Sequence, residues 1–308
     1  MATIRPFRGL RYEPQRVGDL GRVIAPPYDV IDAAGQERLY QASPYNIVRL
    51  TLGKQGPEDS PADNRYTRAL QEYTRWCEAQ VLRRDAAPAL YLIDHAFHSD
   101  GATPGPTPAN AGTGHSRLGF IALLELREGI ERSVYRHEAT LAAPKQDRTR
   151  LLETLPVSLE PIFCVYPDAQ GRLQSRLSTL TAQAAPSVQA SLNGDAIRLW
   201  VVSDPALAQE VARALEAAAI LIADGHHRFE VAYAHRARYD AVMTYFVSMA
   251  DPALVVRPIH RIVQHPPPPR ETLERFCYLE PLRDLPALQQ WLGTEGGQGR
   301  FGYDDGTA

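Results

Sequence analysis

Ala219-Ile220-Leu221-Ile222-Ala223-Asp224-Gly225-His226-His227-Arg228-Phe229-Glu230 changes character at its midpoint. The first half is a short apolar run closed by Asp-Gly, the pattern of a buried strand. Beyond Gly225 the apolar residues fall at Phe229, Ala232 and Tyr233, which is helical spacing. The stretch therefore reads as strand, sharp turn and helix start, and it points to a fold that mixes strands with helices.

That geometry has a chemical meaning. The first N–H groups of a helix lack partners within it, and the helix dipole is positive at that end. Phosphate docks there readily. Gly225 has no Cβ, so a ligand can approach its backbone closely. Arg228 adds a planar fork that suits phosphate oxygens. His226 and His227 can donate to phosphate or move a proton near neutral pH. Asp224 has the wrong charge for phosphate; it either holds Mg²⁺ beside the phosphates or caps the helix. His226 and Glu230, four apart, share a helix face and could begin a metal site, although two ligands are too few to define one.

Composition bounds the rest. The chain has 308 residues, 44% hydrophobic and 22% charged, within the range of one large globular domain or two smaller ones. A net charge of −3 supplies no basic field for nucleic acid. Three widely spaced cysteines form neither a CxxC pattern nor a disulfide framework, which fits a reducing cytoplasm. The N-terminus has no signal-peptide core, and no apolar run is long enough to cross a membrane. Neither a nucleic-acid nor a membrane partner is expected, whereas an oligomer is compatible with the composition.

Along the chain, residues 3–12 read as a strand interrupted by Pro6. Ala25-Pro26-Pro27-Tyr28-Asp29-Val30-Ile31 reads as a proline-stiffened loop. A helix is expected over 33–42. Ser43-Pro44-Tyr45-Asn46 reads as a turn into a strand that buries Val48, Leu50 and Leu52. A helix is expected over 64–83, with strands at 89–97 and 117–126. The low-complexity stretch 99–115 between them reads as a loop. Further strands are expected at 161–166, 197–203, 243–249 and 258–263, and helices at 170–184, 205–217, 271–277 and 284–292. Pro266 to Pro269 mark a boundary, and residues 300–308 read as a strand leading into a turn. Two charged clusters, Arg136-His137-Glu138 and Lys145-Gln146-Asp147-Arg148, flank a short apolar link. Glu138 is a candidate general base there, and Lys145 and Arg148 are candidate phosphate contacts.

Taken in order, Ala25–Ile31, Ser43–Leu50, His137-Glu138-Ala139-Thr140, Lys145 with Asp147-Arg148, Ile222–Arg228 and Pro258-Ile259-His260-Arg261 resemble the signature of the DUF1015 family across nearly the whole chain. Relatives in that family usually run on for roughly another domain, so the chain reads as stopping early. Residues 1–265 would then form a mixed α/β catalytic and nucleotide-binding region, and 270–308 the start of an incomplete C-terminal α/β region. Asp224-Gly225-His226-His227-Arg228 also resembles the phosphate motif of the ParB/sulfiredoxin-like fold, whose free-serine kinases carry the same string.

The resemblances imply an α+β (mixed α/β) chain with a ParB/sulfiredoxin-like nucleotide-binding core and a larger mixed-sheet N-terminal region. They imply a nucleotide-dependent phosphotransferase using ATP or ADP (or CTP) with Mg²⁺, acting on a small hydroxylated metabolite such as L-serine. Asp224, His226, His227 and Glu138 would be catalytic, with Asp224 on the metal. Gly225, His226, His227, Arg228, Lys145 and Arg148 would hold the nucleotide. The alternatives are a non-catalytic nucleotide switch and a metal-dependent phosphohydrolase.

Overall fold

The structure, a computed structural model, describes residues 1–97, 115–255, 269–292 and 302. The chain divides into two units, residues 1–97 with 116–254, and residues 98–115 with 255–308. The expected loop at 99–114, the strand at 258–263, the prolines 266–268 and the terminal strand lie outside the described residues, Gly302 excepted.

The strands are β1 Ile4–Arg5, β2 Leu10–Tyr12, β3 Leu82–Arg84, β4 Leu90–Phe97, β5 His115–Glu125, β6 Val134–Tyr135, β7 Ile162–Tyr166, β8 Val188–Leu192, β9 Asp195–Val202, β10 Ile220–Asp224 and β11 Ala241–Ser248. The helices are α1 Pro14–Val17, α2 Ala33–Ala42, α3 Val48–Thr51, α4 Arg65–Glu78, α5 Ala142–Thr154, α6 Arg172–Gln183, α7 Pro205–Glu216 and α8 His226–Ala234 in the first unit, with α9 Arg270–Glu274 and α10 Leu285–Leu292 in the second.

Nine strands form one mixed sheet in the order β6-β10-β7-β11-β5-β4-β9-β8, with β1 added to β5. β10 runs parallel to β6 and antiparallel to β7, while β7 and β11 are parallel. β2 and β3 form a separate pair. The α+β expectation therefore holds. One sheet face presents Leu92, Phe120, Leu124, Ile162, Ile222 and Phe246, all fully buried. Leu177 of α6, Leu207, Val211 and Leu215 of α7, and Phe229 of α8 pack into the same core. α7 follows its sequence pattern closely: Asp204 accepts from the Ala206 N–H as cap, Pro205 starts the helix, and the apolar positions recur every four residues.

A second core gathers Leu50, Ala69, Trp76, Val81 and Leu82 with Leu151 of α5 and Leu155 just past its end. Helix α5 thus joins this smaller core to the sheet, because its other neighbour is α8.

Two expectations are corrected. Residues 48–52 are not a strand: Leu50, Thr51 and Leu52 donate to carbonyls three and four residues back, closing the helical turn α3. The Asn46 side chain accepts from the Val48 N–H and starts that turn, so a local side-chain bond outweighs a short apolar alternation. Helix α4 stops at Glu78 rather than 83, because Gln80 takes a left-handed φ of 56° and the chain turns into β3. Its buried residues are Ala69 and Trp76, and Leu70 lies on the exposed side. Among the described residues no helix is long and apolar enough to cross a membrane.

Candidate functional site

β10 leads directly into α8 through Gly225, which has φ of 90° and ψ of 28°. A Cβ there would lie 3.1 Å from the Arg228 guanidinium and 3.1 Å from Ile162 Cγ2, so glycine serves both the turn and the close approach. The ladder with β7 shifts register between Ile222 and Asp224, a local kink that re-aims the strand end. Asp224 is exposed and does not cap the helix; no side chain caps α8. Instead its carboxylate accepts from Arg228 Nη2 at 2.6 Å. Arg228 Nη1 donates to the Pro161 carbonyl at 2.6 Å, which ties the turn to the start of the neighbouring strand.

The chain leaving β6 must pass the same turn, because β6 lies beside β10 at the sheet edge. Residues 136–141 therefore cross the first turn of α8. His137 Nε2 donates to the Ala223 carbonyl at 3.4 Å, and its ring meets His226 edge-on with centroids 4.5 Å apart. The His137 N–H faces His226 Nε2 at 3.5 Å, and the Glu138 carboxylate faces His226 Nδ1 at 3.5 Å. These partners place the His226 proton on Nδ1. The Leu141 N–H donates to His227 Nε2 at 3.0 Å. Glu138, placed by sequence only as a candidate base, thus sits at the histidine pair.

Lys145 of α5 and Glu230 of α8 are brought to each other. Glu230 accepts from Arg136 Nη1 at 2.5 Å, Thr140 Oγ1 at 2.6 Å and Lys145 Nζ at 3.1 Å. Against the cost of burial, the Thr140 and Lys145 hydrogen bonds hold its carboxyl below the usual range. The His226–Glu230 metal pair is accordingly not assembled, since each residue faces other partners. Among the described residues no group of three or more His, Cys, Asp or Glu side chains is placed to hold a metal ion. Asp224 and Glu138 both present exposed carboxylates at the turn.

Arg148 lies deeper. It is 7% exposed and donates to Asp147 Oδ2 from Nε at 2.8 Å and to the Thr51 carbonyl from Nη1 at 2.9 Å. The Tyr28 ring covers its guanidinium at 3.9 Å, a cation–π contact. Beside it stands Glu160, a residue the sequence reading did not single out. Glu160 accepts from the Tyr28 N–H at 3.3 Å and lies 3.9 Å from Arg148 Nη1. Burial pushes its carboxyl above the usual value, and Arg228 and Arg148 pull it only partly back. The sequence signal was slight: an acid placed directly before Pro161 and a buried strand.

The proline-stiffened loop carrying Tyr28 is held by Asn46, which is fully buried. Its Nδ2 donates to the Arg22 and Ile24 carbonyls at 2.8 and 3.1 Å. Asn46→Ala strands these carbonyls and the Val48 N–H. It is expected to cost about 1–3 kcal/mol, read as a lowered urea midpoint; an unchanged midpoint would show that the loop is held by other means.

Two of these groups give a pH test. Burial, and then His137, lower the His226 pKa below 6.5. The unfolded chain therefore binds more protons just below pH 6.5, and stability falls as pH drops through that value. Glu160 is shifted upward from 4.5, so the native state binds more protons just above pH 4.5 and stability falls as pH rises there. Urea midpoints against pH should lose the first limb in His226→Asn and the second in Glu160→Gln. Parallel profiles for wild type and both variants would contradict the placement of these groups.

Five of the six quoted motifs thus converge on one region around α5, α8 and the start of β7; the sixth, Pro258–Arg261, lies outside the described residues. The family model described as "Protein of unknown function (DUF1015)" matches residues 4–278. No curated protein and no solved structure matches the chain.

Proposed function

We propose that this chain, which belongs to the DUF1015 family, is a nucleotide-dependent phosphotransferase whose nucleotide phosphates bind at the Asp224–Arg228 turn. The observation that carries the reading is the uncapped start of α8 on a left-handed glycine, with a guanidinium folded across it. An uncapped helix start offers N–H donors and a positive dipole end to a phosphate. The likeness of Asp224-Gly225-His226-His227-Arg228 to the phosphate motif of ParB/sulfiredoxin-like proteins supports the same reading.

The residues fit the groups such a reaction needs. The missing Cβ at Gly225 lets the Arg228 guanidinium close over the turn, 3.1 Å from where a Cβ would stand. Asp224 suits a Mg²⁺ ion that takes its remaining ligands from phosphates and water. When bound, that ion neutralises charge on the transferred group. Arg228 and the first N–H groups of α8 orient and stabilise the phosphate oxygens. Glu138 takes the proton of the acceptor hydroxyl as its oxygen bonds to phosphorus and the bridging oxygen leaves with the nucleotide. His226, held neutral by burial, keeps a Nδ1–H directed at that carboxylate.

Isothermal titration of the full chain with ATP, ADP and CTP, with and without Mg²⁺, tests the reading. Saturable binding of one nucleotide, strengthened by Mg²⁺, is expected. Absence of heat with all three would end the proposal. A screen of hydroxylated metabolites, L-serine first, with the bound nucleotide then identifies the acceptor through its phosphorylated product.

A further inference from the structure

The arginine that the β10–α8 turn offers to an anion is already held by an anion of the chain itself. Arg228 Nη2 donates to Asp224 Oδ2 at 2.6 Å, and Nη1 donates to the Pro161 carbonyl at 2.6 Å. The arginine side chain is only 13% exposed, whereas that of Asp224 is 53% exposed. Glycine at 225 permits this closure, since Arg228 Nε and Nη2 each lie 3.1 Å from where a Cβ would stand. An aspartate at a helix start ordinarily accepts from the first N–H groups. Asp224 does not: no side chain caps α8, and its carboxylate is engaged by the residue four positions on.

This pairing sets a condition on what can enter. A free phosphate reaches the two-pronged face of Arg228 only by breaking the pair, which leaves Asp224 unpaired beside a second anion. Asp224 can accept a divalent cation only by releasing Arg228, which leaves two like charges side by side. Other cations of the region are committed elsewhere, Arg136 and Lys145 to Glu230 and Arg148 to Asp147. When cation and phosphate arrive together, each finds its opposite and no charge is stranded. Asp224 suits that exchange, because an exposed carboxylate leaves room for phosphate oxygens and water around a hard cation. By linkage, each ligand then raises the affinity of the other by the same factor.

We propose that Asp224 and Arg228 form a self-neutralising latch across the turn, closed in the free protein and opened when a phosphate and a divalent cation exchange into it together. The inference rests on the phosphate site proposed above and narrows its ligand. The turn takes phosphate as its divalent-cation complex and disfavours the free anion.

The test is isothermal titration of the full chain with inorganic pyrophosphate, first in EDTA and then in Mg²⁺. Wild type, Asp224→Asn, Arg228→Gln and the double variant are compared. Asparagine matches the shape of an exposed aspartate, and glutamine keeps a donor for the Pro161 carbonyl, so both folds should survive. In EDTA, Asp224→Asn should tighten pyrophosphate binding about fivefold, the scale of a partly exposed ion pair. In the Arg228→Gln background the same change should recover nothing. Mg²⁺ should tighten binding to wild type by about 5- to 150-fold and leave Asp224→Asn little changed. Equal affinity of wild type and Asp224→Asn in EDTA overturns the latch, as does an equal response of the two to Mg²⁺. Recovery of binding by Asp224→Asn in the Arg228→Gln background also overturns it, because the effect is then the field of the carboxylate alone. Absence of binding by every variant under both conditions strikes the phosphate site itself, and so is distinct from failure of the latch.

Discussion

Arg148→Met is expected to destabilise the protein by about 3–5 kcal/mol, the cost of removing one member of a buried ion pair. The side chain is 7% exposed and serves Asp147, the Thr51 carbonyl and Glu160 at once. Methionine fills a similar volume, so the loss reports charge and hydrogen bonding rather than a void. Asp147 keeps Arg65 and the Tyr66 hydroxyl as partners, which limits the damage on that side. Glu160 loses one of the two cations that oppose its burial, so its carboxyl should move further up. Urea unfolding measures the first effect and the pH profile of the midpoint the second. A loss below about 1 kcal/mol, the scale of an exposed pair, would show that the arginine is not the joint between α5 and α3 that its contacts describe.

Arg228→Ala is expected to weaken nucleotide binding by about 10- to 150-fold, since hydrogen bonds to charged groups contribute about 1.5–3 kcal/mol each. Arg228→Lys should recover little of it, because an ammonium cannot reproduce a two-pronged contact. In the unliganded chain the same guanidinium neutralises Asp224 at 2.6 Å. The substitution therefore also leaves Asp224 unpaired, and Asp224→Asn with Arg228→Ala separates the two effects. Titration with the nucleotide that binds wild type measures all three variants. Equal affinity in Arg228→Ala and wild type would remove the arginine from the phosphate site.

What the amino-acid order made legible was local. The β10–α8 turn, helix α7 with its Asp204 cap, and strands β4, β5 and β7 each carry their own period and punctuation, and they stand where those patterns put them. The misreadings were places where a few backbone bonds decide. α3 is closed by Asn46, and α4 ends at a left-handed Gln80. β6 pairs through only two residues and carries no periodic signal, and β8 was not anticipated either. At the site, His226 and Glu138 were named, but their pairing depends on β6 lying beside β10, which no local pattern encodes. Glu160 became visible only once Arg148, Arg228 and Tyr28 surrounded it. Conversely Lys145, read as a phosphate contact, is committed to Glu230.

The two-residue ladder between β6 and β10 has a mechanical corollary. Ile220 faces Val134 and Leu221 faces Tyr135 at the rim of the sheet, and the peptide that continues from this short seam is tied to α8 and the turn by side-chain bonds. Releasing it breaks that ladder and the bonds residues 136–141 make to α8 and Ala223, and leaves the other eight strands paired, so this edge can fray below the free energy of global unfolding.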